Sequence, residues 1–93
     1  MVYRINIVTF DVTYRDDVIA YLNSVREEMK AIDGLQSVRI VETEGGRAFG
    51  LAEYSSADKA AAAAPFVQRI MGGMAGFMTA PPTSSMGTVI WSV

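Results

Sequence analysis

Along this chain the hydrophobic pattern changes character in a fixed order: strand, helix, strand, Gly45-Gly46 turn, strand, helix, strand. Few architectures accept that order within 93 residues. Residues 2–10, VYRINIVTF, are rich in β-branched and aromatic side chains and read as the first strand. Thr13-Tyr14-Arg15-Asp16 has the form of an N-cap followed by an acid at N3. Val18, Leu22, Val25, Met29 and Ile32 then recur at spacings of four, three, four and three. That stripe predicts one helix of about 17–18 residues, stopped by a left-handed Gly34.

Residues 35–43 and 47–54 read as strands joined by Gly45-Gly46, a pair that accepts the positive φ angles of a two-residue hairpin. A tight turn sets Glu44 against Arg47, Glu42 against Phe49, Ile40 against Leu51 and Val38 against Glu53. The opposite face then carries Arg39, Val41, Ala48, Gly50, Ala52 and Tyr54, and its small residues let a helix, a partner sheet or a ligand approach closely. Ser55 or Ser56 starts a second helix, which Pro65 kinks or breaks. The stretch from Phe66 to Met78 is apolar and glycine-rich, Pro81 to Ser85 is a loop, and Thr88 to Val93 forms the last strand.

The whole chain, 1–93, is one α+β domain, large enough to bury about 60–65% of its unfolded surface without disulfides or metals. A net charge of −2 with the charges scattered singly removes the basic footprint of nucleic-acid binding or of an anionic membrane surface. No cysteine or histidine is present, which excludes thiol nucleophiles, thiolate metal sites and histidine bases. No metal or other cofactor is expected. Arg4 and Asn6 interrupt any apolar leader, and the expected location is the cytoplasm.

Both faces of the predicted sheet are apolar. Ile5 and Ile7 oppose Val8 and Phe10, Val38 and Ile40 oppose Val41, and Val89, Trp91 and Val93 oppose Ile90. Helices cover one face; a second copy related by a two-fold axis is the simplest cover for the other. The chain is therefore expected to form a homodimer through the sheet face, with alanine at Phe10 or Val8 weakening it. Exchange of the C-terminal strand is a second route.

In element order and pattern the chain resembles the dimeric α/β-barrel group of ferredoxin-like proteins, which includes antibiotic biosynthesis monooxygenases and haem-degrading monooxygenases. The resemblance implies a βαββαβ fold, a four-stranded antiparallel sheet with two helices on one face, and a pocket between helices and sheet. Asn6 stands where haem-degrading members carry a first-strand asparagine, but their histidine has no counterpart here. The resemblance therefore points away from haem degradation. It leaves a cofactor-independent monooxygenase acting on a hydrophobic or aromatic molecule, or a non-catalytic homodimer that binds such a molecule.

The candidate ligand-contacting residues are Asn6, Tyr54, Arg69, Met71, Met74 and Trp91. A buried Asn6 amide orients a carbonyl or hydroxyl, or bonds across an interface together with Arg4 on the same face. Tyr54 offers a phenol or anchors a sheet end. Arg69 clamps an acid or lies on a solvated helix face. Trp91 stacks on a ligand or belongs to the core or interface. Met71 and Met74, among the glycines, form an adaptable wall that opens as a lid or completes the core.

Overall fold

The computed structural model describes all 93 residues. Its elements are β1 (Val2–Thr9), a 3-10 turn (Val12–Tyr14), α1 (Arg15–Ser24), α2 (Arg26–Lys30), β2 (Leu35–Glu44), β3 (Arg47–Tyr54), α3 (Ala57–Ala62), α4 (Ala64–Gly73), a second 3-10 turn (Ala75–Phe77) and β4 (Thr83–Thr88). The strands form one antiparallel sheet in the order β2-β3-β1-β4. Each helix of the expected βαββαβ unit is present as a broken pair.

The first break has a local cause. The Ser24 hydroxyl donates to the Tyr21 carbonyl at 2.5 Å, and that oxygen is also the acceptor for the Val25 amide at 3.3 Å. Such back-bonding bends helices, so the single expected helix becomes α1 and α2. Its start also differs from the Thr13 cap. The Asp11 carboxylate accepts from the Thr13 amide at 2.9 Å and from its hydroxyl at 2.7 Å, leaving Thr13 a donor. The second break is the one Pro65 requires: α3 ends at Ala62 and the proline sits in the first turn of α4. Ser56 caps α3 by accepting from the Lys59 amide at 3.2 Å.

Gly34 and Gly46 both have φ of +83°. A Cβ on Gly46 would sit 2.5 Å from the Phe10 carbonyl oxygen, so the turn needs glycine there. Gly45 stays at negative φ, and a bulge between Glu42 and Glu44 moves the hairpin one residue from the tight-turn register. Val38 now faces Ala52, Ile40 faces Gly50, Glu42 faces Ala48 and Val41 faces Phe49. The Glu42 carboxylate is bound at the shift. It accepts from the Gly46 amide at 3.0 Å and takes both arms of Arg15, at 2.9 and 2.7 Å, which ties residue 42 to α1. The expected grouping of Arg39 and Val41 with the small residues of β3 is thereby corrected: Val38 and Ile40 share that face.

The last strand is also displaced. β4 runs Thr83–Thr88, where a loop was expected, and the segment from Val89 to Val93 lies outside the sheet. Antiparallel pairing with β1 ends at Val2 opposite Thr88, with one further bond from the Val89 amide to the Met1 carbonyl. Past Thr88 the chain leaves the sheet, and Ile90 and Trp91 are 96% and 78% exposed.

The helices cover the sheet face that carries Val2, Arg4, Asn6, Val8 and Phe10. At one end Val2, Ile32, Ala52, Tyr54, Ala60 and Ala63 form the buried core. The opposite, outer face carries Ile5, Ile7, Val41, Phe49 and Leu51 as a contiguous apolar band, with Tyr3, Glu53, Arg39 and Arg47 around it. A single chain of 10.1 kDa exposes 5963 Å², against about 5300 Å² expected for a folded monomer of that mass. Val8 and Phe10 belong to the helix side, and Phe10 is buried, so neither presents a side chain on the outer face. The expectation that alanine at either position weakens self-association is corrected accordingly.

Candidate functional site

Between the middle of the sheet and the helices the side chains leave a cavity of about 100 Å³. Its floor follows from strand periodicity: alternate residues of β1 (Arg4, Asn6, Val8, Phe10), of β3 (Ala48, Gly50, Ala52, Tyr54) and of β2 (Val38, Ile40) point to one side. Three small residues in a row on β3 keep the floor low, so space remains beneath the helices. The roof comes from the helical stripe: Val18 and Leu22 on α1, Met29 on α2, Ile32 beyond it, and Val67, Ile70, Met71 and Met74 on α4 and its end. Sixteen of the nineteen lining residues are hydrophobic, so the few polar groups dominate its chemistry.

Those groups belong to Arg4 and Asn6, with Tyr54 beside them. Arg4 Nη2 donates to the Ala60 carbonyl at 2.8 Å, while its Nε is buried without a partner. Asn6 lies between Gly50 on β3 and Ser84 on β4. A Cβ at Gly50 would lie 3.6 Å from Asn6 Cβ and 3.9 Å from its Nδ2. Tyr54 is only 1% exposed and packs mainly in the core, so its ring is structural and its edge borders the cavity. No carboxylate lines the cavity, and no group of three or more His, Cys, Asp or Glu could hold a metal ion.

Charge is balanced away from the cavity. Arg15 holds the Glu42 carboxyl at about 2, helped by the Gly46 amide, and Glu42 in turn raises the Arg15 guanidinium above its ordinary value. Lys30 pairs with Glu27, Lys59 with Asp33 and Arg69 with Glu28. On the outer face the Tyr3 hydroxyl donates to Glu53 at 2.8 Å, and that bond raises the Tyr3 phenol above its ordinary value.

The structure brings four of the six sequence candidates together: Asn6, Tyr54, Met71 and Met74 all line the cavity. It separates the other two. Arg69 reaches Glu28 at 2.6 Å on the outside of the helical layer, with its guanidinium 5.8 Å from the Phe66 ring centroid. Trp91 lies in the exposed C-terminal segment. Arg4 joins the site instead; its alternation with Asn6 along β1 is the signal that marks it. The Phe66–Met78 stretch is neither one continuous helix nor a free lid. The Tyr21 hydroxyl donates to the Ile70 carbonyl at 2.9 Å, the Asp11 amide to the Phe77 carbonyl at 3.0 Å, and the Thr79 amide to the Thr9 carbonyl at 2.9 Å. The roof is therefore fastened at Ile70 and at its C-terminal end.

A second, wider hollow of about 490 Å³ lies between α1, α2 and the β2 edge. It shares Leu22, Met29, Leu35, Val38 and Ile40 with the inner cavity, so the two spaces meet across one wall. Its rim adds Asn23, Arg26, Lys30 and Gln36. The inner cavity is the better ligand seat because it has the helices above and the sheet below. The outer hollow is the more open of the two.

This architecture is an α+β ferredoxin-like fold, similar to solved structures of proteins named as antibiotic biosynthesis monooxygenases. One is a proposed antibiotic biosynthesis monooxygenase from Nitrosomonas europaea, with a TM-score of 0.80 at 14% identity, covering 98% of this chain and 100% of that one. Another is a monooxygenase from Streptomyces coelicolor solved with the ligand nanaomycin D, with a TM-score of 0.81 at 14% identity over 99% of this chain and 89% of that one. A Nitrosomonas europaea protein of unknown function aligns as well, at 0.80 and 10% identity, over 99% and 91% of the two chains. No protein-family model and no curated protein matches the chain. No helix is long and apolar enough to cross a membrane.

Proposed function

We propose that the protein is a cytoplasmic homodimer that binds a small aromatic or otherwise apolar molecule in the inner cavity and oxygenates it without a cofactor. The observation that carries this reading is the cavity itself: an apolar chamber between sheet and helices with Arg4 and Asn6 on its wall. Pockets of this make-up fix an apolar ligand by shape and orient it by a few polar groups. The fold shared with a ligand-bound monooxygenase supports the same reading. The outer apolar band and the excess exposed surface support a two-fold dimer through that face.

Size narrows the ligand. An engineered cavity of ~150 Å³ holds one benzene. About 100 Å³ is smaller than that, so a single ring is the most the inner cavity takes and only with Met71 and Met74 shifting aside, any larger remainder lying along the outer hollow. Asn6 would hold a ring oxygen, and Met71 and Met74 would pack on the ring faces. With a phenol as substrate, a ring C–H carbon and the phenol C–OH both become carbonyls of a quinone, losing the ring hydrogen and the hydroxyl hydrogen. One oxygen atom of dioxygen enters the product, the other leaves as water with the two hydrogens, and the substrate supplies all four electrons.

The lack of a lining carboxylate favours a second reading, a binding module without turnover, because nothing beside the ligand takes up its proton. The experiment is oxygen uptake and product analysis with a panel of oxidisable single-ring and fused-ring phenols, alongside binding measured for the same compounds. Uptake matched by oxygenated product, reduced at least tenfold in Asn6→Leu, supports the enzyme. Binding without uptake supports the second reading, and no binding by any compound removes both.

A further inference from the structure

Among the eight basic side chains, Arg4 alone lies on the wall of the inner cavity, and it has no acid beside it. The ion pairs of the chain use Arg15, Lys30, Lys59 and Arg69. Glu53, next in sequence to the Ala52 that faces Arg4, is turned to the opposite side of the sheet, where the Tyr3 hydroxyl holds it. Arg4 stands between Ala52 and Met86 in the sheet, under α3, whose Ala60 is fully buried. Its Nη2 is satisfied by the Ala60 carbonyl, a neutral acceptor, and its Nε is buried with no acceptor at all. A guanidinium never deprotonates in such a place, so its charge stays and asks for a counter-charge. The Ala60 bond fixes the fork, which lowers the entropy lost when an anion docks on it.

We propose that Arg4 is an anion seat of the cavity, and that the natural ligand is an apolar ring bearing one ionised oxygen group, a carboxylate, phenolate or enolate, held against this guanidinium. The inference rests on the inner cavity being the ligand site. It also supplies what the cavity lacks. With no base on the wall, a ligand that must lose a proton loses it more readily beside a fixed positive charge. Asn6, two residues along the same strand face, is placed to hold a second oxygen of the same molecule.

The test compares benzoate with benzamide, nearly isosteric and differing in charge, by calorimetric titration near neutral pH. Wild-type protein is expected to bind benzoate at least tenfold more tightly. Arg4→Met brings the two within about twofold of one another, and Arg4→Lys keeps most of the preference. Equal wild-type affinities, or a preference that survives Arg4→Met, overturn the anion seat while leaving the cavity as a ligand site. Failure of both compounds to bind overturns the cavity reading as well. Because Arg4 also holds Ala60, a second readout uses wild-type protein alone: the visible absorbance of bound 4-nitrophenol. Its titration midpoint is expected to fall by about one pH unit, tenfold in favour of the phenolate. Apolar burial alone would raise it, so an unchanged or raised midpoint overturns the proposal.

Discussion

Gly72 and Gly73 are adjacent at the end of α4, yet the packing gives them opposite consequences on substitution. Nothing lies within 4 Å of a Cβ built on Gly72. Alanine there loses no contact and removes a helix-weakening glycine, a gain of about 0.5–1 kcal/mol. A Cβ on Gly73 would lie 2.0 Å from Tyr21 Oη, 2.5 Å from Cζ and 2.8 Å from Cε1. A rigid ring would have to retreat by about 1.5 Å to reach ordinary carbon contact. That retreat breaks the Tyr21–Ile70 bond, worth about 1 kcal/mol, and adds overpacking strain of about 1–3 kcal/mol. Set against a helix-propensity gain of at most about 1 kcal/mol, Gly73→Ala is a net destabilisation of about 1–3 kcal/mol. In a domain of this size 1 kcal/mol moves Tm by roughly 4–8 °C. Calorimetry or circular dichroism at one fixed protein concentration should then show Gly72→Ala melting a few degrees above wild type. Gly73→Ala should melt at least about 5 °C below it. Equal shifts, or a stabilised Gly73→Ala, would refute the close approach of Tyr21 that fastens the roof.

Other substitutions test other parts of the molecule. Ile7→Asp places a charge in the outer apolar band and should raise the dimer dissociation constant at least about tenfold in sedimentation equilibrium, whereas Phe10→Ala should lower Tm without that effect. The Glu42 carboxyl has a folded value of about 2, below its ordinary 4.5, so its contribution to stability is full above about pH 4.5 and is lost as pH falls through the folded value. Carboxylate NMR should show Glu42 titrating well below the ordinary carboxylate range, and Arg15→Met should raise it, the Gly46 amide still holding it somewhat low.

The element order was legible because it rests on hydrophobic periodicity, which each segment carries within itself. Gly34, Ser56 and Pro65 were equally readable, since each acts through its own backbone or hydroxyl. Misread features depend on distant partners. The bulge in β2 sits where Arg15 from another element holds Glu42, and one shifted residue exchanged the faces of Val38 and Val41. Thr83–Thr88 has little apolar character but pairs with β1, whereas Val89–Val93 has strand composition and lies outside the sheet. Within the site, Asn6, Tyr54, Met71 and Met74 were legible from their faces and surroundings. Arg69 and Trp91 drew notice by chemical type alone; Arg69 is held by Glu28, and Trp91 lies beyond the end of β4.

Six methionines offer a direct view of the cavity. Three of them, Met29, Met71 and Met74, line it, while Met1, Met78 and Met86 do not. Protein labelled with carbon-13 at the methionine methyls should give six signals, and saturating benzoate is expected to move the three cavity signals and leave the others nearly still. Movement confined to Met1, Met78 or Met86, or no movement at concentrations where calorimetry records binding, would place the ligand elsewhere and contradict the cavity as the functional site.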